Sequence, residues 1–279
     1  MRRMLSLLIF AVLIWSGYWF WGAQKNKTRM TDWIFEQHAE GWVMEYEALD
    51  QLGYPNRFDI TLSNPKISTS EGAIMWQGAF LQDLRLSYSP NHAIIVFPPN
   101  HSFKLGENMY QVSNLLMRAS VVTGASQDHR TILEATDFEI ASERFDIGFA
   151  QVQIAILQKA DAHKVHITLS GLKSNRQTTI QNITILADIE IPATPRGFPI
   201  AILNGLSTRF TNLKVDIDGK TIIAEGTVKV SSDLAIDGHI FIGPDIATGG
   251  NLDNKNQINL LQIEDAAKSL GIKLSQTPH

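Results

Sequence analysis

The 279-residue sequence contains no cysteine, which removes disulfides, thiolate nucleophiles and Cys-ligated zinc together. The redox compartment stays open, since exported proteins also do without the residue. Charge of one sign is never concentrated. Lys and Arg number 24 against 28 Asp and Glu, for a formal net charge of -4, and this dispersed pattern argues against a nucleic-acid surface, which needs clustered basic residues. Phosphate-cradling glycine motifs are missing too: neither G-x-G-x-x-G nor G-K-S/T occurs, and Gly249-Gly250 stands in a polar loop. There is no G-x-S-x-G elbow.

Residues that suggest a metal or catalytic site do not form one on spacing. His163 and His166 are three apart in a strand pattern and so point to opposite faces, which reads as ordinary surface histidines. Asp216-Ile217-Asp218-Gly219 puts glycine at the fourth position, where a calcium loop needs it at the sixth; it reads as a hairpin. Asp233, Asp237 and Asp245 are too dispersed to share a site, and Asn182-Ile183-Thr184 is a glycosylation-type triplet inside a strand pattern. Carboxylate pairs for glycoside hydrolysis meet in space and not along the chain, so sequence does not address them. The expectation is no catalytic residue, no cofactor and no metal.

What the sequence does have begins at its N-terminus. Met4 to Ala23 carries no charge, and about 20 apolar residues cross the hydrocarbon layer as a helix. Arg2 and Arg3 precede it; Lys25, Lys27 and Arg29 follow. Trp15, Tyr18, Trp19, Phe20 and Trp21 occupy the stretch where a cleavable signal peptide would carry small residues, so an uncleaved anchor is expected, with the aromatics as an interfacial belt. Residues 1–24 are read as the anchor and 25–279 as an exported β-rich domain, the N-terminus facing the cytoplasm. Lys25 to Glu40 reads as a separate short juxtamembrane helix stopped by Gly41.

From Trp42 the period changes to two. Phe58, Ile60 and Leu62 alternate with polar residues, as do Leu84, Leu86 and Tyr88 with Asp83, Arg85 and Ser87. Val165 to Leu169, Ile183 to Ile191, Leu213 to Ile217, Val228 to Val230 and Leu234 to Ile242 repeat the pattern. Each predicts a strand with one buried and one wet face, the mark of antiparallel sheet. Ser89-Pro90-Asn91, Gly106-Glu107-Asn108 and Asp218-Gly219 are turns. Pro192 to Pro199 is the candidate boundary between two halves. One further helix is predicted, Asn256 to Leu270, with a turn or two at Phe198 to Leu206. So many one-sided strands with so few helices give a mainly β fold: a large antiparallel sheet that curves or closes into a sandwich, plus the anchor, juxtamembrane and C-terminal helices.

The densest segment is Gly53-Tyr54-Pro55-Asn56-Arg57-Phe58-Asp59, followed by Trp76, Tyr88, Pro90, Pro98 and Pro99. Gly and Pro fix a bend ahead of the strand, and Arg57 and Asp59 share a strand face where they can pair; the motif reads as structural. At these residues the chain resembles a family of uncharacterised bacterial membrane-anchored proteins defined by domain of unknown function 2125. It is also distantly similar to AsmA-like envelope proteins, whose strands form lipid-handling grooves. These resemblances imply a single-pass protein of the bacterial inner membrane with its bulk in the periplasm, and no reaction. The expected function is noncatalytic binding of lipid or an envelope partner through an apolar sheet face, with the bilayer itself a partner through the N-terminal helix and no role for nucleic acid. The alternatives are an envelope assembly or scaffold protein and a periplasmic hydrolase.

Overall fold

The computed structural model describes residues 2–124, 129–142, 146–158, 162–173, 183–192, 206–217, 220–230, 236–244 and 256–258. The chain is mostly β, in open antiparallel sheet, and opens with one long apolar helix, α1 (Arg2–Ala39). It divides into two compact units, Met1–Gly148 and Phe149–His279.

The helix is the first departure from expectation. Anchor and juxtamembrane segments form one continuous helix of 38 residues, about 57 Å long at 1.5 Å per residue. Lys25, Lys27 and Arg29 end the apolar run without ending the helix, because Lys and Arg are good helix formers. The stop is Gly41, whose φ of +91° suits glycine; its amide donates to the His38 carbonyl at 3.1 Å.

Ten further elements of the first unit are paired pieces of five interrupted strands. They are β1 (Trp42–Glu45) with β2 (Ala48–Leu52), β3 (Asp59–Ser63) with β4 (Lys66–Thr69), and β5 (Ile74–Gly78) with β6 (Phe80–Leu86). Then come β7 (Ser89–Val96) with β8 (Asn100–Leu105), and β9 (Asn108–Ser113) with β10 (Leu116–Thr123). The sixth strand, β11 (His129–Ala141), runs through. One half of the sheet pairs β1, β4, β5, β8, β9 and β11 in that order. The other pairs β2, β3, β6, β7, β10 and β11. The connectivity is an up-and-down meander in which neighbours in sequence are neighbours in space.

A seam crosses these strands of the first unit where regular pairing lapses. It holds Tyr46-Glu47, Asn64-Pro65, Ala79, Phe97 to Pro99 and Asn114-Leu115, and in β11 the left-handed Asp137 at φ +47°. The proline positions follow from chemistry: with no N–H to give a ladder, Pro belongs at a bulge. The seam is stitched by Asn64 N–H to Ala79 O, 2.9 Å, Gly78 N–H to Pro65 O, 3.2 Å, and Asn114 N–H to Pro99 O, 2.9 Å. Pro65 and Pro98 are fully buried there. The lower half of α1 covers the sheet, with Met30 and Ile34 packed on Met44, Leu49, Ile60, Leu62, Ile67 and Leu81.

β12 (Asp146–Gln158) begins three residues before the boundary, and the second unit carries the rest of it with β13 (Ala162–Lys173), β14 (Ile183–Pro192), β15 (Leu206–Ile217), β16 (Lys220–Val230), β17 (Ile236–Pro244) and β18 (Asn256–Ile258). From β13 onward each pairs antiparallel with the next. Ile217 pairs with Lys220 across Asp218-Gly219. Val165 is buried among partly buried Ile154, Ile156, Ile167 and Ile189. The predicted C-terminal helix is corrected at its start: Asn256–Ile258 is a strand on β17, where the apolar spacing of Leu260 to Leu270 had extended the helix too far back. Of the predicted boundary Pro192 to Pro199 and the predicted helical turn Phe198 to Leu206, Pro192 ends β14 and Leu206 begins β15 as a strand residue; residues 193–205 and 259–270 lie outside the described residues, as do Asn182, Asp218, Gly219, Asp233, Leu234, Asp245, Gly249 and Gly250.

Candidate functional site

The sequence motif assembles around the helix. Spaced three or four apart, Trp15, Trp19, Gly22, Asn26 and Met30 form a stripe on α1. Against it lie the Gly53 to Asp59 loop and the turn between β6 and β7, forming a collar. Trp15 Nε1 donates to Pro55 O at 2.9 Å, Trp19 Nε1 to Arg57 O at 2.7 Å, Tyr18 Oη to Ser87 O at 2.9 Å and Asn26 Nδ2 to Phe58 O at 3.1 Å. Ser16 Oγ and Tyr54 Oη share a hydrogen bond of 2.9 Å. Phe58 fills the gap beside Gly22, buried with Trp19 and Ala23. The irregular backbone of the collar therefore has its carbonyls capped by helix side chains, which matters because a buried, unpaired carbonyl costs about 1–3 kcal/mol.

The loop itself is shaped locally. Gly53 sits at φ +102°, and a Cβ there would lie 2.7 Å from the Arg57 carbonyl oxygen. The Arg57 amide donates back to Gly53 O at 2.7 Å, and the Tyr54-Pro55 peptide between them is cis. Arg57 Nε lies 2.8 Å from Asp59 Oδ2. Beside this pair, Arg85 Nε lies 2.8 Å from Asp83 Oδ1, Arg85 also donates to Pro90 O at 2.8 Å, and the Arg85 amide donates to Asp59 Oδ1 at 3.2 Å.

This network reverses the expected facing of β6 and the turn after it. Leu84, Leu86 and Tyr88 were the apolar face by alternation, yet Asp83 and Ser87 are buried at 5% and 1% exposure, while Leu86 and Tyr88 are 37% and 71% exposed. The inward polar residues are tolerated because Asp83 is ion-paired and the Ser87 backbone is bonded on both sides, its amide to Asn56 O and its carbonyl to Tyr18. The aromatic belt divides similarly: Trp19 is buried in the collar, whereas Phe20 and Trp21 are exposed.

The remaining motif residues form a second cluster at the seam. Trp76 meets Phe97 edge-on at 5.9 Å and His101 at 5.7 Å. Pro98 O accepts from Asn114 Nδ2 at 3.1 Å and lies 3.2 Å from His101 Nδ1; Pro99 O accepts from Asn114 Nδ2 at 3.2 Å. Burial lowers the His101 pKa below the usual imidazole value, its hydrogen bond to Pro98 opposing the shift. Gly53 through Asp59, Tyr88 and Pro90 thus belong to the collar, and Trp76, Pro98 and Pro99 to the seam.

Between α1 and the β6 to β7 turn lies a groove of about 870 Å³. Lys25, Arg29 and Asp32 enter it from the helix between Trp21 and Trp33, with Glu36 one turn further on; Phe58, Ser87 and Pro90 form the opposite wall. Lys25 Nζ stands over the Trp21 ring, 5.3 Å from its centroid. Arg29 donates to Asn26 Oδ1 and, at 3.5 Å, to Pro90 O. Its pKa is lowered by partial burial and by the neighbouring Arg85 charge, against the pull of Asp83.

His163 and His166 share no site. His166 Nδ1 lies 2.6 Å from Asp188 on β14, a carboxylate partner that sequence proximity did not reveal, and His163 pairs in register with Ile191. Among the described residues no three His, Cys, Asp or Glu side chains gather as a metal site. The helix stripe is the part of the site that reading along the chain missed; Gly22 and Asn26, small and polar at helical spacing from Trp19, were its signal.

Comparison with curated proteins and with solved structures finds no match, which leaves the AsmA likeness without support. The sequence model of one family matches residues 19–242, from the collar-facing Trp19 through β17. The chain belongs to DUF2125, a family of uncharacterized proteins conserved in bacteria.

Proposed function

We propose that this protein is a noncatalytic factor of the bacterial inner membrane. In this reading α1 crosses the bilayer once from a cytoplasmic N-terminus, and the collar seats the β-sheet at the periplasmic surface to bind lipid or an envelope partner. The observation that carries it is the bonding of the only membrane-length helix among the described residues to the body along its outer part. A flexible tether would leave the body free to tumble; a clamped helix fixes the height and orientation of the sheet.

The lengths support this seating. Before the first collar contact at Trp15, α1 offers only Arg3 to Ile14, about 18 Å, against a hydrocarbon layer of about 30 Å. In this reading the span runs on to Ala23, the end of the uncharged stretch, and Trp15, with Tyr54 and Pro55 bonded beside it, lies about 12 Å inside the outer edge of that layer when the helix is upright. Exposed Leu52, Tyr54 and Tyr88, at 62%, 52% and 71%, give the collar an apolar outer surface toward the bilayer. Irregular backbone is tolerated there only when its polar groups are satisfied, as the four helix side chains achieve. In the second unit, the apolar cluster around Val165 lies on strands whose isoleucines are only partly buried, a surface of the kind lipid or partner binding needs.

The test is carbonate extraction and protease protection of the native chain, with lipid analysis of the detergent-purified protein. Carbonate-resistant membranes, digestion only from the periplasmic side and co-purifying lipid are expected. Release by carbonate refutes the anchor. A consistently lipid-free protein with specific crosslinked protein neighbours shifts the reading to an assembly scaffold.

A further inference from the structure

We infer that the groove between α1 and the β6 to β7 turn holds the headgroup of a zwitterionic, amine-bearing phospholipid, with its phosphate between Lys25 and Arg29 and its ammonium toward Asp32. The inference deepens the membrane-seated reading and rests on it.

Three independent observations lead to it. The first is position. If Ala23 marks the edge of the hydrocarbon, Lys25 stands about 3 Å beyond it along the helix, inside a headgroup layer of about 5–7 Å, and the Arg29 backbone about 9 Å beyond it, outside that layer but with a side chain that leans back toward the helix N-terminus. The second is the order of charge. Leaving the bilayer, the groove presents an exposed indole, Trp21, then two cations, then Asp32 and Glu36. An aminoethyl phosphate diester presents the same sequence in complement: acyl chain, phosphate, ammonium. The helical rise from Arg29 to Asp32 is about 4.5 Å, the scale of the separation between those two charges in the headgroup. Neither Lys25 nor Arg29 has a carboxylate within ion-pair distance among the described residues, so both cations are available to an anion. The third observation is Ser87. It lines the groove, is 1% exposed, and its hydroxyl has no hydrogen-bond partner. A buried polar atom without a partner is costly; Ser87 is bonded to Tyr18, on the bilayer side of Lys25, the level of a glycerol ester below the phosphate, and a small shift of the groove wall would let that ester supply the partner.

The test is native mass spectrometry of the full-length chain, delipidated in mild detergent and offered phosphatidylethanolamine or phosphatidylglycerol of identical acyl chains. One phosphatidylethanolamine should be retained in preference to phosphatidylglycerol. Lys25→Ala should weaken retention of both lipids about tenfold, the scale of one charge-assisted hydrogen bond. Asp32→Asn should instead abolish the preference while leaving binding in place. Neither side chain makes a hydrogen bond or ion pair within the described structure, so unchanged melting temperatures are expected and separate a site effect from misfolding. Equal retention of the two lipids by the native chain, or retention unmoved by both variants, overturns the assignment. If the protein remains carbonate-resistant in that event, only the headgroup site fails; if carbonate also releases it, the membrane-seated reading fails first.

Discussion

Replacing Gly22 with Leu should loosen α1 from the collar while leaving the helix intact. A Cβ at Gly22 would lie 2.3 Å from Phe58 Cζ and 3.0 Å from both Cε atoms, where carbon atoms need about 3.5 Å or more. Phe58 has little room to yield: it is 5% exposed and sits beside Tyr18 and Trp19 at centroid distances of 6.4 and 6.3 Å. Overpacking of this kind costs about 1–3 kcal/mol. Four side-chain-to-carbonyl bonds hold the helix to the collar, together contributing about 4 kcal/mol net at about 1 kcal/mol each, so the clash offsets a substantial part of the clamp without exceeding it. Within the helix alone, leaving Gly for Leu is favourable by somewhat under about 1 kcal/mol, which rules out helix melting as the cause of any loss. The cysteine-free background permits a clean assay. Ser16→Cys with Tyr54→Cys places two thiols where the native oxygens are 2.9 Å apart, for capture by a short thiol crosslinker in membranes. Gly22→Leu should reduce the crosslinked fraction severalfold, and Phe58→Ala in the same chain should restore it by opening space for the leucine. Undiminished crosslinking in the Gly22→Leu protein would refute the docking argument.

Asp83→Ala should cost about 3–5 kcal/mol in denaturant melts, because it strands the largely buried Arg85 guanidinium without its carboxylate. Trp19→Phe keeps most of the ring bulk but leaves the Arg57 carbonyl unpaired, for a loss of about 1–3 kcal/mol by the same measurement. Stability should also fall with acid through His101. Burial depresses its folded-state pKa, so the unfolded chain binds the proton more readily. The stabilisation is complete above the unfolded value of about 6.5 and is lost as pH falls from there toward the folded pKa. Melting temperatures between pH 7.5 and 5.5 should show the decline, and His101→Gln should flatten it.

Much of this architecture was legible along the chain because its determinants are local. An uncharged run of bilayer length, alternation of period two, and Gly or Pro at bends act through neighbours in sequence, so the helix, the strands and the DUF2125 resemblance emerged from them. The mainly β class followed from the number of one-sided strands set against the few predicted helices, an anchor, a juxtamembrane and a C-terminal one. Even here local signals misled where a local rule stood in for a contact: the charges at Lys25 to Arg29 suggested two helices, and the leucines of β6 suggested the wrong inward face.

Tertiary structure alone decided what the motif is for. Gly53 to Asp59 and the β6 to β7 turn are about 30 residues apart, and the helix stripe they grip lies some 40 residues before the loop, so no spacing rule connects them. What joins them is the requirement that polar backbone beside an apolar helix be paired, met by the indole, phenol and amide groups of Trp15, Trp19, Tyr18 and Asn26. The same requirement turned Asp83 inward to Arg85 and collected Pro65, Pro98 and Pro99 along one seam. Sequence fixes which groups need partners; only the folded chain determines which partners come within reach.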